Sequence, residues 1–150
     1  MATGTLGDRQ LSMLPELLRE TREQGLFRVL YLHHCPIPGV EKWRKRLTDA
    51  PALEQLLREH GVELVLHGHG HRAHQHTLET ADGNACVVAV PSASALGLHG
   101  ADVAHYNRYH VTRTAQGWQL GIETRGFERD SGRFEAHGAR EITLSRAAHS

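Results

Sequence analysis

Apolar positions in the first half of the chain form two short runs with a helical pattern between them. Residues 27–32 and 64–66 have the length and composition of buried strands. Between these runs, residues 48–51 offer a plausible helix start, leucines from Leu53 onward recur on one face, and Gly61 is a stop signal. Such a unit normally forms a right-handed crossover, so we expect two parallel strands that end at the same edge of one sheet.

Turn-bounded apolar segments dominate the second half, which we therefore predict to consist mostly of strands. Residues 74–79 and 85–90 flank the turn sequence Ala-Asp-Gly-Asn and predict one hairpin, and residues 106–112 and 118–124 predict another. Residues 128–150 are polar and mixed, which predicts a short final strand with a frayed tail.

Composition narrows the class of protein. The 150 residues fit one domain at most, and 39% hydrophobic residues are enough for a real core. The 17 basic and 17 acidic residues give zero net charge, which does not favour nucleic-acid binding through phosphate contacts. The sequence has no apolar run of 18 residues and no signal segment, so we expect no membrane association and a cytoplasmic location.

The two cysteines, Cys35 and Cys86, lie far apart and have no paired spacing. We interpret both as reduced thiols with no special role, although Cys35 stands out because it directly follows two histidines. The lack of a Cys-x-x-Cys motif also argues against a structural zinc module.

The most specific chemistry lies where the two apolar runs end. The second run is followed by His67, His69 and His71, which are separated only by glycines, and the first run by His33 and His34. In an extended chain His67, His69 and His71 would share one side at spacings of about 6.6 Å, so that neighbouring histidines could hold different ions. Two ions about 3.5–4 Å apart are the usual clamp for a phosphate ester. Because ligand sites lie at the carboxyl ends of parallel strands, we expect a metal site at this edge.

These residues carry a resemblance to a known family. The sequences His-His-Cys-Pro at 33–36 and Gly-His-Gly-His at 68–71 resemble the last two motifs of the calcineurin-like metallophosphoesterases. Residues 7–18 resemble the helix that precedes the first motif in the branch of cyclic-nucleotide and related phosphodiesterases. Residues 90–94 resemble the strand-end turn that follows the second motif, and Trp118 lies in what resembles the closing hairpin.

The resemblance covers most of residues 4–135 and implies a fold. The chain is then an α/β protein, the carboxyl-terminal half of a layered α/β/β/α metallophosphoesterase sandwich. Residues 1–150 would form a single partial domain, with a family-like core at 1–127 and a short final strand and tail at 128–150. Half of a layered fold should leave a sheet edge and face exposed, which predicts self-association or pairing with a missing first half.

The resemblance also implies roles for the histidines. His33 and His69 would ligate one ion, and His71 would ligate a second. His34 and His67 are catalytic candidates: His34 as a neighbour in the turn, and His67 as a residue that orients a ligand or a bound phosphate oxygen. The alternative, with His34 as the ligand and His33 packing, stays open because adjacent residues face opposite ways.

The sequence lacks the family's other metal-binding motifs, namely Asp-x-His, the Gly-Asp carboxylate that bridges the ions, and Gly-Asn-His. This matters because two divalent ions bring four positive charges, whereas histidine is a neutral ligand. The candidate acids Asp49, Asp82 and Asp102 lie in turn or cap contexts, and we do not expect any of them to bridge ions. The simplest expectation is the carboxyl-terminal portion of an enzyme whose first half is truncated, separately encoded or lost.

The resulting hypothesis is a hydrolase that uses two divalent ions, of manganese, iron or zinc, to activate hydroxide against a small-molecule phosphodiester or phosphomonoester. The alternative is a catalytically incomplete metal-binding or scaffold subunit, which the absent carboxylates favour for the isolated chain. A metallo-β-lactamase-type hydrolase also uses alternating histidines, but its pattern requires Asp where this chain has His71.

The remaining histidines carry no motif. His74 and His76 alternate on a predicted strand, and we interpret them as structural or solvent-facing, although either could touch the site. The others lie outside any recognisable pattern: His99, His105, His110, His137 and His149.

Overall fold

The computed structural model describes residues 2–98 and 102–146, which form a mixed α/β domain with two sheets. The elements in these ranges are α1 (Asp8–Glu23), β1 (Val29–Leu32), α2 (Ala50–His60), β2 (Leu64–His67), β3 (His74–Thr80), β4 (Gly83–Ala89), β5 (His105–Thr114), β6 (Gly117–Glu128) and β7 (Arg133–Ser145). Neither helix has the length and apolarity needed to cross a membrane. His99, His149 and the end of the predicted tail lie outside the described residues.

The first sheet has four strands in the order β1-β2-β4-β3. β1 and β2 are parallel, with Leu32 paired with His67, so the predicted parallel pair is confirmed. β4 is parallel to β2, and β3 and β4 form the predicted antiparallel hairpin. Both His-bearing strand ends therefore lie at one edge of this sheet.

Each face of the four-stranded sheet packs against a different partner, because alternate residues of a strand point to opposite faces. Val65 of β2 and Val87 of β4 belong to the cluster that also contains Leu53 and Leu57 of α2. Their neighbours face the second sheet in a cluster formed by Leu64, Cys86, Val88, Trp118, Leu120, Ile122 and Leu144. The helices and the second sheet thus cover opposite faces of the first sheet.

The second sheet has three antiparallel strands in the order β5-β6-β7. Its first hairpin is the predicted one, and Trp118 at its turn packs edge-on against Phe27, with ring centroids 5.4 Å apart. The prediction of a short final strand is wrong, because β7 has 13 residues. β6, with 12 residues, gives β7 a full-length partner, and the polar pattern of β7 reflects exposure rather than irregular structure.

A buried ionic network holds the amino ends of β1 and β2 together. Arg28 and Glu63, which precede these strands, are 5% and 4% exposed. The Arg28 guanidinium donates to both carboxylate oxygens of Glu63, at 2.9 and 2.8 Å, and also contacts Asp82 at 3.2 Å. Asp82 lies in the turn between β3 and β4 and forms a second ion pair with Arg22 of α1 at 2.6 Å. These charges therefore link α1 to the four-stranded sheet at this end of the domain.

The amino terminus of α1 is held by a carboxylate from another element. Asp49, directly before α2, accepts hydrogen bonds from the backbone N–H groups of Leu6 and Gly7 at 3.0 and 2.9 Å. A negative group satisfies free N–H groups at a helix start and complements the helix dipole. Asp49 thus has a structural role, and α1 extends to Glu23, beyond the segment that the resemblance indicated.

β1 is one of the two edge strands of the four-stranded sheet, and part of it is uncovered. Val29 and Tyr31 are paired with Leu64 and Leu66 and therefore share their sheet face, yet they are 48% and 81% exposed. The expected exposed edge and face are thus present at this strand.

Candidate metal centre

The ends of β1 and β2 bring two histidines from distant parts of the chain into contact. Beyond the strands, the Gly68 N–H donates to the carbonyl oxygen of His33 at 3.2 Å, which keeps the two segments together. His33 Nε2 lies 2.9 Å from His69 Nδ1, and one of these nitrogens donates to the other. The two residues that the family resemblance assigns to one ion therefore meet.

The Gly-His-Gly-His segment does not continue the extended strand. β2 ends at His67, and both His69 and His71 have left-handed backbone conformations, with φ of 65° and 57°. The expectation that three histidines line one side of an extended chain is therefore wrong. His71 is exposed, and within residues 2–98 and 102–146 it belongs to no group of three ligand atoms close enough to share an ion.

His34 lies beside the same pair but points elsewhere. Its Nε2 lies 3.0 Å from the carbonyl oxygen of Ala2, and its ring centroid is 4.4 Å from that of His69. A side chain at Gly4 would collide with the His34 ring, so the segment before α1 packs closely on it. His33, rather than His34, is the residue hydrogen-bonded to His69.

An open groove runs along this edge of the sheet. It is lined by Tyr31, Leu32, His33, Leu66, His67, Gly68, His69, His71, Val90, Pro91 and Ser92. Three of the predicted ligands, His33, His69 and His71, thus share one surface even though they do not form one ligand set. The turn at residues 90–94, which the resemblance indicated, contributes the opposite wall.

The electrostatics of the site favour a neutral imidazole at His69. Burial lowers the pKa of His69, and the neighbouring rings of His34 and His33 lower this pKa further. A neutral imidazole keeps a free lone pair, which is the form that binds a metal ion. His69 is therefore ready to act as a ligand near neutral pH.

The acids considered from the sequence have structural partners, and Asp102 lies beside the groove, where its backbone N–H donates to the carbonyl oxygen of His71 at 2.9 Å. Asp49 and Asp82 hold the contacts described above, and Asp102 accepts the backbone N–H of Ala73 at 2.6 Å. The sequence analysis missed Glu41, whose carboxylate lies so close to Gly70 that any side chain there would collide with it. Glu41 belongs to no recognisable motif, because it lies in a loop and reaches Gly70 only through the folded path of the chain. The groove residues of this chain thus supply part of the ligand set of one ion, but they do not form a complete centre for two ions.

A second cluster lies behind the first, between the sheet and the loop after β1. The sulfur of Cys35 and one nitrogen each of His67 and His74 lie within 4.8 Å of one another. His67 is 4% exposed, and burial lowers its pKa to about 4. Burial also lowers the pKa of His74 and raises that of the Cys35 thiol. Cys35 thus has a histidine environment that the interpretation as an incidental thiol missed.

His76 follows His74 on the same face of β3, with ring centroids 5.0 Å apart. Both are half-buried rather than solvent-facing. The alternation of His74 and His76 was the sequence signal that could have indicated this cluster. It does not reveal which strand lies beside these two residues. By contrast, Cys86 packs between the two sheets as a core residue.

The chain was compared with protein-family models and with curated proteins. No family model matches it, and no curated protein is significantly similar. The resemblance to metallophosphoesterases therefore depends on the short motifs themselves.

Proposed function

We propose that this chain provides the histidine side of a metal-dependent phosphoesterase centre. The observation that carries the proposal is the 2.9 Å contact between His33 Nε2 and His69 Nδ1 at the ends of two parallel strands. In the finer form of the proposal, the domain corresponds to the carboxyl-terminal half of a layered α/β/β/α metallophosphoesterase sandwich. The cover of helices on one face and a second sheet on the other supports this form.

The spacing of the donors is consistent with a shared ion. Two nitrogens that each lie about 2.0–2.1 Å from one metal are about 2.9–3.4 Å apart, depending on the coordination angle. His33 and His69 need little movement to reach this range. When bound, manganese, iron or zinc would supply a Lewis acid and a water of lowered pKa. His33 and His69 would hold this ion, and His71, on the same groove, would hold a second ion only together with ligands from outside this chain.

The small-molecule phosphate ester is the part of the proposal that the groove supports. The groove is open and is lined by imidazoles together with Ser92, so a phosphoryl group can approach the ligands from solvent. His71 and Ser92 can donate hydrogen bonds to phosphoryl oxygens as negative charge develops there. A net charge of zero offers no general attraction for a polyanion, which favours a small substrate.

The carboxylates of a complete centre would come from another polypeptide or a second copy of this chain. The exposed edge of β1 supports this, because an uncovered strand edge is a template for pairing with another strand. Val29 and Tyr31 add apolar area on the face beside it. Pairing there would bring new residues next to His33, at the end of the same strand.

The second candidate function is a metal-binding or scaffold subunit without catalysis. It is favoured by one observation: Asp49 and Asp82 have structural partners away from the groove, and the Asp102 carboxylate accepts the backbone N–H of Ala73. Without carboxylates, imidazoles alone leave the charge of two divalent ions uncompensated. One ion, held by His33 and His69, is then the expected limit for the isolated chain.

Hydrolysis of bis(p-nitrophenyl) phosphate with added Mn²⁺ tests the enzyme proposal. We expect turnover by the purified chain, with a second copy completing the centre. We expect His69→Ala and His71→Ala to abolish this turnover, because each would remove a metal ligand. His110→Ala is the matched control, since His110 is exposed on β5 of the other sheet. Turnover that persists in His69→Ala would contradict the proposal.

Mn²⁺ binding, measured by loss of the free-ion electron paramagnetic resonance signal, separates the two candidates. Binding that requires His33 and His69 but brings no hydrolysis would support the metal-binding subunit. Absence of both binding and hydrolysis would contradict both candidates.

A further inference from the structure

The buried cluster of Cys35, His67 and His74 is a set of metal-binding atoms that the groove does not use. A thiol sulfur and two imidazole nitrogens, each from a different segment, lie within 4.8 Å of one another. Cys35 and His67 are buried and His74 is half-buried, so the cluster is largely shielded from water.

The strand register explains how the two imidazoles come together. Ala89 of β4 is paired with His67 of β2 on one side and with His74 of β3 on the other. Directly paired residues share a sheet face, so both histidines point to the side that α2 covers. The small side chain of Ala89 leaves room for the two rings to approach, with centroids 5.1 Å apart. Cys35 closes this space from the turn after β1.

The cluster contains polar atoms that lack hydrogen bonds. His67 Nε2 and both ring nitrogens of His74 are enclosed and have no hydrogen-bond partner among the described residues. Buried polar atoms are nearly always satisfied, because leaving one without a hydrogen bond is energetically costly. Three such nitrogens beside a thiol therefore point to a missing partner. A cation bound between them would satisfy a lone pair from each ring.

The chemistry of the donors selects among metal ions. Thiolate ligands favour zinc and copper(I), and imidazole also suits zinc, whereas manganese prefers oxygen ligands. Typical Zn–N and Zn–S lengths of about 2.0–2.3 Å place tetrahedral donors about 3.3–3.8 Å apart, so the three atoms need to contract only modestly. The carboxylate of Glu41 lies close enough to act electrostatically on Cys35 and His74. It would balance the charge left by Zn²⁺ and one thiolate.

We propose that Cys35, His67 and His74 bind one Zn²⁺ ion on the helix-covered face of the four-stranded sheet. The ion ties the turn after β1 to the ends of β2 and β3. His76, next on the same face of β3 and with its own unpartnered Nε2, is positioned beside the fourth coordination place. This site does not depend on phosphoesterase activity, because it shares no residue with the ligand pair His33 and His69.

Cobalt substitution tests the site on the full chain. Co²⁺ bound by a thiolate gives a sulfur-to-metal charge-transfer band in the near ultraviolet, and imidazole ligands alone do not. We expect one equivalent of Co²⁺ to produce this band and one equivalent of Zn²⁺ to remove it. Cys35→Ser should abolish the band, whereas Cys86→Ser, at the other free and buried cysteine, should keep it.

Zn²⁺ affinity, measured by competition with a chromophoric chelator, tests the histidines. His74→Ala should weaken binding by at least the ~10–100-fold that loss of a supporting partner costs a metal site. His110→Ala should leave the affinity unchanged, because His110 is exposed on β5 of the other sheet and lies outside both proposed ligand sets. His74 is half-buried on an edge strand, so this variant stays informative where Cys35→Ser fails to fold.

The outcomes separate this proposal from the proposed phosphoesterase function. A charge-transfer band that depends on Cys35 and His74 supports the zinc site even where no phosphate ester is hydrolysed. A band that is absent, or that survives Cys35→Ser, overturns it. Tight Zn²⁺ binding that is lost in His69→Ala and kept in His74→Ala would also overturn it, by placing the ion at the groove.

Discussion

The two ends of the parallel pair β1 and β2 have opposite chemistry. At the amino ends, Arg28 and Glu63 are buried charges that satisfy each other through two hydrogen bonds, with Asp82 and Arg22 extending the network. At the carboxyl ends, the polar groups are histidines, several of whose buried nitrogens have no partner among the described residues.

This contrast indicates that the two ends of the short strands β1 and β2 have different roles. Charges that are fully paired gain nothing from a ligand, so the amino ends serve to hold helix, strands and turn in place. Unpartnered imidazoles can gain a metal ion, and residues in strained backbone conformations cluster at functional sites. We therefore propose the carboxyl ends as the functional side of the domain. The comparison can be tested by perturbing each end separately.

The largest effect is expected from breaking the buried pair at the amino ends. Arg28→Ala removes both close guanidinium hydrogen bonds of the buried Glu63 and leaves it the longer 3.5 Å ion pair with Arg146, which should lower the free energy of unfolding by about 3–5 kcal/mol. Urea denaturation at neutral pH measures this loss. Arg19→Ala is the matched control, because Arg19 also forms two ion pairs but is about half exposed. Loss of an exposed pair should cost much less, because water screens its charges. Equal effects of the two substitutions would contradict the role assigned to the network.

Acid should lower the free energy of unfolding through protonation of His67, at the carboxyl end of β2. Burial lowers the folded-state pKa of His67 from 6.5 to about 4. The unfolded chain therefore binds a proton below pH 6.5 that the folded chain does not, and stability is lost as the pH falls from 6.5 towards 4. With each pKa unit worth about 1.4 kcal/mol, the loss is of the order of 3 kcal/mol.

Urea denaturation at pH 7 and pH 4.5, with a chelator present, measures this dependence. His67→Gln should show a smaller decline between these two pH values, because the amide does not titrate. Groups distant from His67 titrate equally in both proteins, so the comparison isolates His67 together with its coupling to His74. Parallel declines in the two proteins would show that His67 is not held neutral by burial.

The sequence predicted the parts of the fold that follow from local pattern. The parallel strands, the crossover helix and both hairpins follow from apolar periodicity and turn residues, and the meeting of His33 with His69 follows from parallel topology. The length of β7 could not be predicted, because its pattern is polar and its pairing with β6 is a tertiary contact.

The second cluster shows why part of the site was missed. His67 and His74 meet only because β4 inserts between β2 and β3 and presents Ala89 to both, which no local pattern encodes. Glu41 lies in a loop whose path depends on packing. The left-handed histidines were also unexpected, since glycine is the residue that usually adopts this conformation.

The smallest expected effect concerns the left-handed backbone at His71, where glycine should be more stabilising than alanine. His71 is exposed and has a φ of 57°, whereas glycines 68 and 70 on either side of His69 are not left-handed. A left-handed conformation costs a residue with a Cβ about 1–2 kcal/mol, a cost that glycine avoids. His71→Gly should therefore be more stable than His71→Ala by about 1 kcal/mol, although glycine normally destabilises by about 0.5–1 kcal/mol relative to alanine.

Thermal or urea unfolding of the two variants decides this point, with the same pair of substitutions at His110 as the reference. His110 lies in an ordinary strand, so alanine should be the more stable residue there. Because neither variant at residue 71 keeps an imidazole, the difference between them measures backbone strain and not ligand loss. Alanine more stable at both positions would mean that the chain bears no strain at His71, and the carboxyl ends would then differ from the amino ends only in their unpartnered side chains.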